Sequence, residues 1–158
     1  MALVRAEGCR RSTFVQLNNN TPYTLRRATC ALKHGVWLVM PPEFIVPGEQ
    51  GVPFGSGFRL GPPTEAAKGE AQSSEQNSSS FLVGTKGIVA YTCYIEEEDR
   101  MVLLEVDWTN IVSLGDKRIW GDAACQPPLS IECEATDSDH SVATFNIARG
   151  AGTRRYWA

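Results

Sequence analysis

Short stretches that alternate polar and apolar residues follow one another along almost the whole chain, and turn residues end each of them. Residues 13–17 alternate and stop at the Asn-Asn-Asn-Thr-Pro cluster of residues 18–22, and residues 44–46 run into Pro47-Gly48. Alternation with a period of two is typical of half-buried strands, and Pro, Gly and Asn clusters mark turns. No window longer than two turns shows helical spacing of apolar residues. The sequence therefore predicts an all-β fold, a single β-sandwich of two packed, mainly antiparallel sheets.

One segment departs from this pattern. Residues 61–80 are rich in Glu, Ala, Gln and Ser and contain almost nothing to bury. Strands of the same character resume after them, so we expect a mobile surface loop within one domain. The predicted organisation is an N-terminal extension (1–12), a sandwich domain (13–149) and a C-terminal tail (150–158). The predicted strands cover residues 13–17, 23–32, 36–40, 44–46, 51–60, 81–83, 88–95, 101–108, 129–135 and 142–148, and residues 111–120 are predicted to be a further strand-and-turn region.

The charge balance and the hydropathy exclude several classes of protein. The formal net charge is −3 and the pI about 5.4, which gives no basic face for nucleic acid. No stretch approaches the roughly 20 apolar residues of a transmembrane helix. The N-terminus has no apolar core of a signal peptide. We expect a protein made in the cytosol, which would need release without a signal peptide to act on outer membranes.

The residues that catalysis or metal binding would need are not grouped in the sequence. His34 and His140 are the only imidazoles and both fall in predicted turns. Ser56 lies in Phe-Gly-Ser-Gly-Phe, which lacks the spacing of a nucleophile elbow. The acidic run 96–99 matches no calcium loop and is interpreted as a solvated hairpin tip. We therefore predict no enzymatic activity, no catalytic residue, no cofactor and no metal.

The five cysteines are widely spaced and form no Cys-x-x-Cys motif. This spacing favours free thiols, with a Cys30–Cys93 or a Cys125–Cys133 bridge as alternatives.

The remaining candidates for a binding site are aromatic residues. Trp37 and Tyr91 lie within apolar strands and are predicted to belong to the core. Trp108 and Trp120 each adjoin polar residues and are predicted to be displayed at one end of the sandwich. Tryptophan and tyrosine suit the boundary between water and lipid, and their rings also stack on sugars.

The order of several short motifs resembles a known group of proteins. His34-Gly35-x-Trp37 precedes Pro41-Pro42-x-x-Ile45-x-Pro47-Gly48, and Gly84-Thr85-x-Gly87 precedes an apolar strand and a hairpin that ends at Trp108. Over residues 13–122 the chain resembles the actinoporin-like and aegerolysin-like lipid-binding β-sandwiches, which include fungal members and cytolysins. The resemblance implies recognition of a membrane lipid headgroup, often that of a sphingolipid, through aromatic residues near one end.

Two departures limit what this resemblance implies. Actinoporins carry a long amphipathic segment before the first strand. Here only twelve residues precede Thr13, and they include Arg5, Glu7, Arg10 and Arg11, so pore formation is not implied. The Ser-x-Pro step of the actinoporin headgroup site corresponds to Glu105-Val106-Asp107, which would repel phosphate but could contact an ammonium group. The family's choline-site residues are therefore not transferred. The predicted ligand-binding residues are Trp108, Trp120, Tyr94, Glu105, Asp107 and Arg118.

Three functions follow from these observations. The first is a membrane-lipid binding module that contacts the membrane peripherally. The second is a carbohydrate-binding lectin, since fungal fruit-body lectins use a related sandwich. The third is a partner-binding protein in which the 61–80 loop or the Trp157 tail docks onto another protein and closes an oligomer. A homo-oligomer is one form that this assembly could take.

Overall fold

The computed structural model describes residues 9–59, 82–113, 116–136 and 139–157, and these form an all-β sandwich of two mainly antiparallel sheets. The sequence-based prediction of the fold class is confirmed. Eleven strands lie within the described residues: β1 (Cys9–Asn19), β2 (Leu25–His34), β3 (Val36–Val39), β4 (Phe44–Ile45), β5 (Val52–Arg59), β6 (Leu82–Ile95), β7 (Arg100–Ser113), β8 (Asp116–Cys125), β9 (Leu129–Ala135), β10 (His140–Arg149) and β11 (Thr153–Trp157).

The strands divide into a five-stranded sheet, in the order β3-β5-β1-β10-β9, and a six-stranded sheet, in the order β11-β8-β7-β6-β2-β4. β1 and β10 pair in parallel, and the other described pairs are antiparallel. A single 3₁₀ turn, η1 (Glu96–Glu98), joins β6 to β7, and Asp99 closes it with a left-handed backbone. The acidic run is thus a hairpin tip, as predicted.

The strand boundaries differ from the sequence-based ones at several places. β1 begins at Cys9, inside the segment predicted as an extension, and the segment predicted as a tail contains β11, which pairs with β8. β6 also runs without a break through residues 84–87, which the sequence-based prediction left between two strands. Gly84 is needed there because a Cβ would lie 2.0 Å from the carbonyl oxygen of Asn110 on β7. The glycine therefore marks a close approach of two backbones within the sheet.

The core lies between the two sheets and follows the alternation of each strand. On β7, Val102, Leu104, Val106 and Trp108 are each 1% exposed, while their neighbours in sequence face outward. Trp37 (5% exposed) and Tyr91 (0%) are also buried, as the sequence predicted.

Buried polar groups join the two sheets at two places. Trp108 Nε1 donates to Ser56 Oγ at 3.0 Å, and Ser56 Oγ shares a short hydrogen bond with Thr85 Oγ1. At another place, Arg11 Nε donates to Asn110 Oδ1 at 2.8 Å. Such pairing satisfies polar groups that would otherwise be buried at a cost.

A buried asparagine holds the corner between β1 and β2. The side-chain amide of Asn19 donates to the carbonyl oxygens of Tyr23 (2.8 Å), Ile45 (3.2 Å) and Val46 (3.2 Å). Its Oδ1 accepts hydrogen bonds from the backbone N–H and the hydroxyl of Thr21. The Asn-Asn-Thr-Pro turn thus ties the start of β2 to β4 and fixes the position of Tyr23.

Four cysteines carry free thiols: Cys30, Cys93, Cys125 and Cys133. The prediction of free thiols is confirmed for these four, and the two alternative bridges are absent among them.

Candidate functional site

The outer face of the six-stranded sheet carries a group of exposed apolar side chains near the β6–β7 hairpin. Within the described residues, all the exposed large hydrophobic side chains come from β4, β6 and β7 or directly follow β4. We call this group the apolar patch, and its exposed fractions are Phe44 49%, Val46 47%, Tyr94 47%, Met101 55% and Leu103 38%.

Strand register brings these side chains into neighbouring rows. Tyr94 on β6 and Met101 on β7 are direct cross-strand partners. In the adjacent row, Leu103 pairs with Thr92, Thr92 with Arg26 on β2, and Arg26 with Phe44 on β4. The guanidinium carbon of Arg26 lies 5.8 Å from the centroid of the Phe44 ring. Cross-strand partners on one face lie close enough to form a continuous surface.

The outer face of the five-stranded sheet has a different character along β1, β10 and β9. Its cross-strand rows contain Asn18 with Asn146 and Glu132, and Gln16 with Thr144 and Glu134. Asn18 Nδ2 donates to Asn146 Oδ1 at 2.8 Å. The two outer faces of the sandwich are therefore unequal, and exposed apolar side chains concentrate on one of them.

A depression of about 360 Å³, here called the hairpin pocket, opens beside the apolar patch. That volume falls near the lower end of the roughly 300–1,000 Å³ typical of ligand sites. The lining residues come from the β1–β2 corner, the β6–β7 hairpin and the end of β10, and they are Pro22, Tyr23, Thr24, Tyr94, Glu96, Glu97 and Arg149.

An ion pair and a hydrogen bond organise the polar side of the hairpin pocket. Tyr23 Oη donates to Glu97 Oε2 at 3.2 Å, and Arg149 Nη2 donates to Glu97 Oε1 at 3.3 Å. The guanidinium carbon of Arg149 lies 5.4 Å from the centroid of the Tyr23 ring. The pKa of Glu97 is lowered, first by a hydrogen bond from its own backbone and further by Tyr23 and Arg149. Glu97 is therefore ionised at neutral pH.

Tyr94 belongs to both features. Its ring lines the hairpin pocket and is part of the apolar patch, while its hydroxyl donates a short hydrogen bond to Asp99. This hydrogen bond is the largest cause of the raised pKa of Tyr94, followed by burial. The phenol is thus held as a donor beside a carboxylate.

A second depression, of about 170 Å³, lies further along the same face and is lined by Lys33, Lys86 and Asp107 among others. Asp107 is the cross-strand partner of Asp122. Its Oδ1 is buried with no hydrogen-bond partner among the described residues. Burial, and then the charges of Asp122 and Glu105, raise the pKa of Asp107.

The structure contradicts the prediction that one site residue, Trp108, is displayed to solvent. Trp108 is 1% exposed, and its ring packs against Trp37 and Phe54 with centroid separations of 6.0 Å. It is not displayed to solvent because β7 continues beyond it, so that its polar neighbours Asp107 and Thr109 point the other way. Trp108 is a core residue.

The other predicted residues divide into two groups. Tyr94, Glu105 and Asp107 share the outer face of the six-stranded sheet, and Tyr94 is exposed as expected. Trp120 and Arg118 belong to β8, but their side chains lie outside the described part of the structure.

Sequence reasoning missed most of the residues that surround Tyr94. Met101-Val102-Leu103-Leu104 is apolar on both faces of its strand, and this is a signal of an exposed apolar surface. Tyr23, Glu97 and Arg149 are far apart in the sequence, and no motif connects them. Only the fold brings these three together.

One serine and histidine pair lies elsewhere in the sandwich. Ser12 Oγ and His140 Nδ1 are 2.9 Å apart, but Ser12 is 1% exposed. A nucleophile must reach its substrate, and this hydroxyl is covered. Among the described residues, no group of three or more His, Cys, Asp or Glu side chains could hold a metal ion.

Comparisons with known proteins give little further information. No family model matches the chain. An uncharacterized protein of Dictyostelium discoideum is 30% identical over 81 residues, which make up 51% of this chain and 5% of that protein. The chain thus spans only a small part of this relative. The resemblance to actinoporin-like and aegerolysin-like proteins stays a prediction. The described residues contain no helical segment that could span a bilayer; their helical turn η1 has three residues.

Proposed function

We propose that the protein binds peripherally to a lipid membrane through the apolar patch. The observation that carries this proposal is the concentration of exposed aromatic and aliphatic side chains on one outer face, where Tyr94 and Met101 are direct cross-strand partners. Exposed apolar side chains grouped on one face mark interaction sites, and tyrosine suits the membrane interface because one end is apolar and the other polar.

The charges around the patch favour a neutral or zwitterionic membrane. The hairpin tip carries Glu96, Glu97, Glu98 and Asp99 beside Tyr94 and Met101. A negatively charged lipid surface would repel these carboxylates. The expected partner is therefore a bilayer whose headgroups bear no net charge.

Cosedimentation with vesicles tests this proposal. The double variant Met101→Ser, Leu103→Ser removes two half-exposed apolar side chains, each contributing on the order of 1 kcal/mol when buried in lipid. We expect binding to phosphatidylcholine–cholesterol or sphingomyelin–cholesterol vesicles to fall roughly thirtyfold. The matched control is Met101→Leu, Leu103→Met, which keeps the face apolar and should bind like the wild type.

Two outcomes would overturn the proposal. One is the absence of wild-type binding to every vesicle composition. The other is equal binding by the serine and control variants. Specific binding on a glycan array, competed by free sugar and lost on substitution of Tyr94, would instead support the lectin alternative.

A further inference from the structure

The hairpin pocket already contains a cation. The guanidinium of Arg149 lies over the Tyr23 ring and against the carboxylate of Glu97. An aromatic face beside a carboxylate is an environment that recognises organic cations. The chain's own side chain thus occupies the position that a cationic ligand would take.

We propose that the hairpin pocket binds an organic ammonium group, and that this ligand displaces Arg149 from Tyr23 and Glu97. The proposal depends on the proposed membrane function only for the origin of the ligand as a lipid headgroup. Binding of a free ammonium compound does not depend on it.

Exposure makes Arg149 displaceable. The side chains of Arg149 and Glu97 are 59% and 57% exposed. An ion pair this open to water contributes little to stability, and a long side chain can turn away into solvent without leaving a buried charge. In contrast, Tyr23 is only 7% exposed and stays in place when Arg149 moves.

The remaining lining suits an ammonium group. Glu96 and Glu97 are carboxylates on the hairpin side, and the Tyr94 ring is 47% exposed at the edge next to the apolar patch. Among the described lining residues Arg149 is the only cationic side chain, so its departure leaves two carboxylates and two tyrosine rings there. That combination is complementary to a compact positive charge.

Arg26 provides a matched comparison on the same sheet. Its guanidinium also lies over an aromatic ring, at 5.8 Å from the Phe44 centroid. Phe44 is not part of the hairpin pocket lining. Replacing Arg26 therefore changes net charge as replacing Arg149 does, without opening the pocket.

The test titrates tetramethylammonium and ethylammonium chloride into the full chain at constant ionic strength, with binding followed by amide NMR shifts. In the wild type we expect shifts centred on Tyr94, Glu97 and Arg149. Arg149→Gln should bind about threefold to tenfold more tightly, because the competing guanidinium is gone. Glu97→Gln should bind about fivefold or more weakly.

Arg26→Gln is the control and should match the wild type. The proposal is overturned if Arg149→Gln binds no more tightly than the wild type, or if Arg26→Gln strengthens binding equally. Comparing vesicle binding with binding of free ammonium tests the two proposals separately. Binding to free ammonium without vesicle binding would contradict the membrane function alone. Vesicle binding through the apolar patch, without any response to free ammonium, would contradict the pocket alone.

Discussion

The indole N–H of Trp108 in the six-stranded sheet donates to the hydroxyl oxygen of Ser56 in the five-stranded sheet, over 3.0 Å. Thr85 bonds to the same hydroxyl and also donates to the carbonyl oxygen of His34 at 3.1 Å. Gly87 leaves room for the indole, because a Cβ there would lie 2.5 Å from the ring. The largest fully buried side chain among the described residues is therefore packed and hydrogen-bonded between the sheets.

Substitution of Trp108 should affect stability and leave ligand binding intact. Trp108→Ala creates a large cavity in the core and should lower the free energy of unfolding by about 3–5 kcal/mol. Trp108→Phe keeps most of the packing and should cost less. Urea denaturation measures both effects. Loss of vesicle binding in Trp108→Phe with unchanged stability would contradict the core assignment.

The Asn19 corner should also be sensitive to a change of one side chain. Asn19→Ala removes one donor from the carbonyl oxygens of Tyr23, Ile45 and Val46, and it takes away the acceptor of the buried Thr21 backbone N–H. Buried groups that lose their partner cost about 1–3 kcal/mol. We expect a loss within or somewhat above that range in thermal or urea unfolding. Asn20→Ala is the control, because Asn20 is exposed in the same turn.

Most strands in the middle of the chain could be predicted from the sequence, whereas β11, in the segment predicted as a tail, was missed. The inner or outer assignment of some residues could not be predicted either. For Trp108, period two already placed Val106 and Leu104 on the same face, and its polar neighbours misled the interpretation. For Met101 and Leu103 the pattern is ambiguous, because their neighbours Val102 and Leu104 are also apolar. Only the packing of the second sheet decides which pair is buried.

The hairpin pocket could not be predicted from sequence patterns for a different reason. Its polar contacts join residues 23, 97 and 149, which belong to three separate turns or strand ends. Periodicity within a short window cannot indicate a contact between residues so far apart in the sequence. The acidic run was correctly predicted as a hairpin tip, but its role as one wall of a pocket depends on the neighbouring β1–β2 corner.

Two of the thiols should resist modification in the folded protein. Burial raises the pKa of Cys93 to about 11, and burial together with the nearby charge of Glu134 raises that of Cys133 to about 11. Thiolate is the reactive form, so both should react slowly with a disulfide reagent at about pH 8, where an ordinary thiol is partly ionised. Mass spectrometry of the labelled chain checks this. Rapid labelling of Cys93 without unfolding would contradict its burial.

The stability of the sandwich should depend on the ionisation of Asp107. This carboxyl faces Asp122 directly across the β7–β8 pair and has Glu105 two residues away. The positive charge of Lys86 on β6 acts in the other direction and lowers the pKa of Asp107. Its pKa is raised in the folded state, first by burial and then by the two acidic neighbours. The folded chain therefore holds a proton on Asp107 at pH values where the unfolded chain has lost it.

The sign of the pH dependence follows from that difference. As the pH rises from the unfolded value of about 4 through the raised folded value, the unfolded state binds fewer protons, and the stability falls. Asp107→Asn removes this penalty, and its amide oxygen can still accept a hydrogen bond. We expect the variant to be more stable than the wild type by about 0.2–1 kcal/mol at neutral pH, the usual cost of like charges across a strand pair.

The advantage of Asp107→Asn should shrink toward zero as the pH is lowered below about 4, because the wild-type carboxyl is then neutral in both states. Urea denaturation of both proteins across the pH range measures this difference. Glu43→Gln, which removes an exposed carboxylate beside β4, controls for the change in net charge. An advantage that persisted unchanged at low pH, or that Glu43→Gln reproduced, would show that the Asp107 charge is not its cause.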